Sequence, residues 1–173
     1  LDLCTDNGTM MIVDEVQTGI GRTGEWYGIQ NFGVVPDIIT MAKALGGGTP
    51  IGAVCSTDEI SKVMTPGTHG TTFGGNPLVC AAGCAVLDIM KRDNIVPHVK
   101  DIGARWMADL KAIDSPMIRE VRGYGLIIGI QMDSSETASK VQSYCRENGV
   151  LINVAHGGTI RLIPPLILED SQK

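Results

Sequence analysis

Met10-Met11-Ile12-Val13-Asp14-Glu15-Val16-Gln17-Thr18-Gly19 sets four apolar residues directly against two carboxylates. A short unbroken apolar run is the pattern of a strand buried on both faces of a parallel sheet. The two acids then follow at its carboxyl end, the edge where open α/β sheets bind ligands. A carboxylate there is costly unless a cation or several donors meet it. The competing reading is an acid that caps the loop after the strand.

Working outward, Pro36-Asp37-Ile38-Ile39-Thr40 and Ile51-Gly52-Ala53-Val54-Cys55 read as strands of the same kind, joined by glycine-rich turns. Before them, Leu1-Asp2-Leu3-Cys4 reads as the last turn of a helix, closed by Asn7-Gly8. Asn76-Pro77 opens a long helix, with Asn as N-cap and Pro at the first helical position. Its apolar side runs through Val79, Ala82, Val86, Ile89 and Met90. A second helix carries Val99, Ile102, Trp106, Leu110 and Ile113, and Ser115-Pro116 stops it.

The pattern then changes. Val121–Met132 predicts strands joined around Gly123 and Gly125. Asp133 and Glu136 form a capping box for a helix from about Ser134 to Asn148, ended by Gly149. Leu151–Val154 and Thr159–Ile163 make a hairpin through His156-Gly157-Gly158. A boundary near residue 95 therefore separates part of a parallel α/β domain (1–95, with the connecting helix) from a small α+β domain (96–173). Glu169-Asp170-Ser171 looks like the start of a helix with almost nothing after it. With both ends in mid-element, the expectation is a fragment or trimmed chain, against the blander reading of two frayed termini.

Composition narrows the function classes. An apolar share of 43% with 19% charged residues is that of a globular chain with a core. A net charge of −5 argues against nucleic-acid binding, which needs clustered Lys and Arg on phosphates. No apolar run approaches a membrane span and no secretory signal opens the chain. The five scattered cysteines, Cys4, Cys55, Cys80, Cys84 and Cys145, read as buried reduced thiols of a cytoplasmic protein.

Lys43 stands one turn beyond the second strand, between Ala42 and Ala44 and ahead of Gly46-Gly47-Gly48. A lysine desolvated by such neighbours keeps its amine form, which suits attack on an aldehyde. A lone lysine is ordinarily a solvated surface residue; an acid on the adjoining strand raises the odds. His69-Gly70-Thr71-Thr72-Phe73-Gly74-Gly75-Asn76 supplies free amides and hydroxyls at a helix start, suited to a phosphate or else a plain connector.

Gly19-Ile20-Gly21-Arg22-Thr23-Gly24 fits the dinucleotide fingerprint G-x-G-x-x-G, so a dehydrogenase domain using Gly19, Gly21 and Gly24 is the rival reading. Its first glycine lies too far past the strand, and no amphipathic helix follows. Cys80 and Cys84 lack further metal ligands nearby in sequence and read as packing, so no metal site is expected. His98 and His156 have no evident partner. Arg161, on an apolar strand, requires a carboxylate partner, either structural or a substrate.

Ile12–Gly19, Asp37–Lys43, the loop His69–Pro77 and Arg161-Leu162-Ile163-Pro164-Pro165-Leu166, in this order, closely resemble the class III aminotransferases, in particular the acetylornithine and ornithine branch. The resemblance covers essentially the whole chain but only the carboxyl-terminal portion of such enzymes, whose last helix is mostly absent. It implies a partial fold type I α/β architecture and a pyridoxal 5'-phosphate cofactor. Lys43 then looks like the Schiff-base lysine and later proton carrier, Asp14 the partner of the pyridinium nitrogen, and Gln17 the neighbour of the phenolic oxygen. Thr72 resembles the residue that reaches the phosphate in the neighbouring subunit, which implies a homodimer. Arg161 resembles the arginine that binds the substrate α-carboxylate.

The activity so implied is transfer of an amino group from an N-acetylornithine-like donor to 2-oxoglutarate, a step of arginine biosynthesis. Ornithine, succinylornithine and 4-aminobutyrate are the other donors. By itself the chain is expected to be inactive, and a non-catalytic fragment is the remaining alternative.

Overall fold

The computed structural model describes residues 2–172. They form two compact units: residues 2–21 with 25–96, and residues 22–24 with 97–172.

In the first unit, helix α1 (Asp2–Asp6) ends at Gly8 with φ +60, and strand β1 (Ile12–Asp14) follows. β1 pairs in parallel with β2 (Ile38–Met41), Asp14 lying opposite Thr40. β2 pairs with β3 (Ala53–Ser56) in the antiparallel sense, so the third strand departs from the parallel run expected of it. Connection length supplies the reason. Residues 15–37 are long enough to carry the chain back for a parallel return, whereas residues 42–52 are too few for a crossover.

These strands are also less covered than their apolar runs imply. Ile12 is 62% and Val54 59% exposed, because the described elements leave much of the sheet open. A short helix α2 (Asp58–Ser61), without a sequence signal strong enough to anticipate it, follows β3.

Helix α3 (Pro77–Arg92) starts where the Asn-Pro pair places it: the Asn76 side chain accepts a hydrogen bond from Val79 N at 3.1 Å. Val79, Gly83 and Met90 are its buried positions. This helix lies against a 3-10 turn, Lys43–Gly46, and the glycine that closes it. Gly47 has φ +57, and a Cβ there would stand 2.7 Å from Val86 Cγ2. Only glycine meets both the left-handed backbone and the close approach.

Helix α4 (Ile95–Lys111) begins earlier than its apolar periodicity suggests, since Pro97 fits in the first turn, where its missing N–H costs nothing. In the second unit, β4 (Ile118–Tyr124), β5 (Ile127–Met132), β6 (Asn153–Ala155) and β7 (Thr159–Leu162) form an antiparallel sheet of order β4-β5-β7-β6. Along β5 the even positions Ile128, Ile130 and Met132 are buried, the period-two alternation of a half-buried strand. Ile130, Met132 and Ile160 form a core with Ala138 of α5 (Ser135–Glu147). Each such aliphatic side chain contributes roughly 1.5–3 kcal/mol by leaving water. The N-cap of α5 is Ser134 instead of Asp133: Ser134 is extended, and its Oγ accepts from Thr137 N at 3.0 Å.

Candidate cofactor-binding site

Asp14 ends β1 and Thr40 stands beside it on β2. Asp14 Oδ1 accepts two hydrogen bonds, from Val16 N at 2.9 Å and from Thr40 Oγ1 at 3.1 Å. Its Oδ2 has no partner among the described residues, and the side chain is exposed. One oxygen is thus oriented by protein and the other remains available.

The adjacent acid behaves differently. Glu15 is only 1% exposed, and no cation meets it among the described residues. Its carboxylate accepts from Ile29 N at 2.7 Å, from Gly28 N at 2.9 Å and from the Thr18 hydroxyl. Three donors on one buried carboxylate satisfy the requirement that makes such burial tolerable. Glu15 N also donates to Thr40 O at 2.9 Å, and Glu15 O accepts from Gly19 N at 2.9 Å. The capping reading of the acid pair therefore belongs to Glu15, and the available carboxylate is Asp14. The sequence reading did not separate these roles; the signal that could have done so is Gly28-Ile29, whose amides open the 3-10 turn Gly28–Phe32.

Lys43 lies three residues past Thr40, at the carboxyl ends of the same parallel pair. Its φ is +46, in the left-handed region that side chains other than Asn, Asp and Gly rarely occupy. Non-glycine residues held there concentrate at functional sites. Lys43 itself is exposed, while Leu45 and Gly46 take the buried positions of the turn. The desolvation expected of this lysine is therefore not supplied by the described residues.

Gln17 lies in the turn after β1, is exposed, and has no side-chain partner among the described residues. Thr72 is exposed in the loop before α3. A hollow of about 570 Å³ there is lined by Thr71, Phe73 and Gly74 with Pro50, Ile51 and Val79, and Thr72 does not line it.

Arg161 belongs to the second unit, opposite Gly129 on β5 and Asn153 on β6. It borders a cleft of about 580 Å³ with Trp106, Ile163, Pro164 and Leu168. Its Nε is buried and has no hydrogen-bond partner, and no described carboxylate meets the guanidinium.

Other expectations are corrected. Cys55, Cys80 and Cys84 are exposed and Cys4 and Cys145 half-buried, all as free thiols, because the faces carrying them are uncovered. His98 has a partner, Leu168 O at 2.9 Å, whereas His156 is exposed. The segment Gly19–Gly24 runs through turns with no α-helix behind it, so no amide-bearing helix end faces it and the dinucleotide reading fails. Arg22, passed over in sequence, is half-buried with its pKa lowered by desolvation.

A parallel strand pair with an antiparallel neighbour, bearing an acid and a left-handed lysine at one edge, and a small antiparallel unit together constitute part of a fold type I pyridoxal-phosphate-dependent enzyme. The chain belongs to the class-III aminotransferase family, whose model matches residues 1–173. It is 44% identical over 172 residues to acetylornithine aminotransferase 1 of Bordetella parapertussis, covering 98% of this chain and 43% of that protein. Ornithine aminotransferase of an Exiguobacterium species is 42% identical over 175 residues, at 99% and 42% coverage. The crystal structure of ornithine aminotransferase from Toxoplasma gondii ME49 superposes with a TM-score of 0.92 at 36% identity, over 99% of this chain and 42% of that one. Pyridoxal phosphate occupies the active site of the Toxoplasma enzyme in part. The chain thus spans less than half the length of the relatives it matches.

Proposed function

We propose that the whole protein is a pyridoxal-phosphate-dependent transaminase of the cytoplasm that moves an amino group from an N-acetylornithine-like donor to 2-oxoglutarate. Residues 1–95 contribute part of its large cofactor-binding domain and residues 96–173 its small domain. The active site is shared between the subunits of a homodimer, and the chain alone is inactive. The observation that carries this reading is Lys43, an exposed amine on a left-handed backbone at the same sheet edge as Asp14.

The residues suit the cofactor. Pyridoxal phosphate, when bound, supplies an aldehyde that amines condense with and a ring that accepts electrons. Lys43 is the amine that holds the aldehyde. With cofactor and donor bound, the same amine would be the base that takes the proton from the donor carbon carrying the amino group. Thr40 and Val16 fix Asp14 Oδ1 and hence the plane of the carboxylate, so that Oδ2 would be free to accept from a ring N–H of the cofactor. A carboxylate so placed keeps that nitrogen protonated. Gln17 lies in the same turn to face the phenolic oxygen. Thr72 would donate its hydroxyl to the cofactor phosphate in the neighbouring subunit. Arg161, with a buried Nε that no described residue satisfies, binds the substrate α-carboxylate.

Relatives of similar identity carry the name ornithine aminotransferase, which makes ornithine the second reading of the donor. Borohydride treatment of the full-length protein with pyridoxal phosphate should attach the cofactor to the peptide containing Lys43. A Lys43→Ala protein that keeps the reducible absorption band would sink the assignment. Comparing kcat/KM for acetylornithine, ornithine and 4-aminobutyrate, with 2-oxoglutarate as acceptor, decides the donor.

A further inference from the structure

The register of β5 and β7 pairs Ile130 with Ile160 and Ile128 with Leu162. Continued by one more pair of the same type, the register sets Leu126 opposite Pro164. The ladder cannot extend there in the usual way because proline has no N–H to donate. Arg22 fills the gap. Its main-chain oxygen accepts from Leu126 N at 3.0 Å. Its guanidinium Nη1 donates to Leu126 O at 3.0 Å and to Pro164 O at 2.6 Å.

Leu126 is fully buried, and Arg22 and Pro164 are half-buried, so these groups are partly shielded from water. The residues around Arg22 hold it by close backbone contact: Gly125 has φ +51, and a Cβ there would lie 2.8 Å from Arg22 O and 2.5 Å from Thr23 C. No carboxylate pairs with Arg22 among the described residues. Its charge is therefore committed to two carbonyls.

We infer that Arg22 is a positioning residue for Arg161: it completes the β5–β7 ladder where Pro164 interrupts it, and so fixes the end of the strand that carries the substrate-binding guanidinium. Pro164 lies three residues beyond Arg161, just past the end of β7, and both residues line the same cleft. A strand end free to fray would let the Arg161 guanidinium wander, which weakens binding of a carboxylate that needs two aligned donors. Lysine in place of Arg22 offers a single ammonium without the planar fork and cannot reproduce both bonds in the same geometry. The functional consequence rests on the reading of Arg161 given above; the structural one does not.

The test uses the full-length holoenzyme and its Arg22→Met, Arg22→Lys and Arg161→Ala variants. Amide hydrogen exchange at Leu126, Ile128 and Leu162 reads the ladder directly. Titration with glutarate, a dicarboxylate that cannot react, reads the carboxylate site through the cofactor absorbance. In both Arg22 variants exchange at these amides should rise at least tenfold and glutarate should bind about tenfold more weakly. Cofactor loading should stay within twofold of the parent, and Arg161→Ala should lose glutarate binding. Unchanged exchange in Arg22→Lys overturns the ladder. Faster exchange with unchanged glutarate affinity, while Arg161→Ala has lost it, leaves Arg22 a purely structural residue and overturns the positioning role. If Arg161→Ala binds glutarate as the parent does, the Arg161 reading falls and the positioning role falls with it, although the exchange result still stands. Should Arg22→Met fail to fold, Arg22→Lys carries both arms.

Discussion

Glutamine at position 15 would keep the shape of the buried side chain and remove one of its two acceptor oxygens. Glu15 Oε1 receives the Ile29 amide, and Oε2 receives the Gly28 amide and the Thr18 hydroxyl. The Thr18 hydroxyl can rotate and offer a lone pair, but a main-chain N–H cannot. Whichever way the glutamine amide is turned, its NH2 faces either Gly28 N–H or Ile29 N–H, donor against donor. One charge-assisted bond, about 1.5–3 kcal/mol, is lost, and a buried donor is left bare at a cost of about 1–3 kcal/mol. Relief from burying a charge offsets part of this. The net expectation for Glu15→Gln is a loss of about 2–4 kcal/mol, or roughly 5–15 °C in Tm for a chain of this size. Urea and thermal unfolding measure the loss, and amide exchange at Gly28 and Ile29 locates it. Since Asp14 and Gln17, proposed above to hold the cofactor, flank Glu15, cofactor retention by the full-length protein should fall as well. A Glu15→Gln protein within about 0.5 kcal/mol of the parent, with both amides as protected as before, would refute the anchoring role; that margin lies well below the smallest single term.

Gly47→Ala should cost about 1–2 kcal/mol for the left-handed backbone alone, and more for the 2.7 Å approach to Val86 Cγ2. Adding Val86→Ala should recover the steric part only, so a double-mutant cycle showing no coupling would mean that helix α3 simply moves away. Asp133 is exposed, and its carboxyl is held below the ordinary range chiefly by a hydrogen bond from the Thr137 side chain. A depressed folded-state pKa stabilises above the unfolded value, near 3.9, and that contribution is lost as pH falls through the lower folded value. The Tm difference between the parent and Asp133→Asn should therefore shrink below about pH 4; a difference constant from neutral to strongly acid pH would contradict it.

How much of this was legible in sequence varies with the range of the interaction involved. Asn76-Pro77 declares the start of α3 because cap and first turn are local chemistry, and the structure adds only the 3.1 Å bond to Val79. Ser134, not Asp133, caps α5, because either residue can serve and the choice depends on which one is already extended. The antiparallel sense of β3 was hidden by its composition, which looks like its neighbours', yet it was available in the short 42–52 connection. Among the proposed site residues, Asp14 and Lys43 could be placed at neighbouring strand ends from the sequence, and the structure sets them there. The motif gave no hint that Glu15 anchors residues 28 and 29, because that contact joins positions with no shared periodicity. Arg22 was equally hidden: its partners lie 104 and 142 residues away.

A further departure between sequence and structure concerns Lys43 and the strand before it. Ala42, Ala44 and Leu45 encode an apolar neighbourhood for Lys43, and Met10–Val13 encodes a strand covered on both sides. Within these 173 residues, however, Lys43 and Ile12 are exposed. Desolvation is what turns a lysine from a cation into a nucleophile near neutral pH, so the amine requires cover that the described residues do not provide. What they do provide is orientation: a backbone held at φ +46, a carboxylate with one oxygen fixed, and a guanidinium held with its Nε unsatisfied. Orientation and burial are separable contributions to catalysis. In the proposed full-length protein, orientation would come from these residues and cover for Lys43 from others, as the more than twofold greater length of the matched relatives allows. On that division of labour, a full-length protein with Lys43 buried should condense with an aldehyde much faster than the 173-residue chain, although both present the same residues at the same sheet edge.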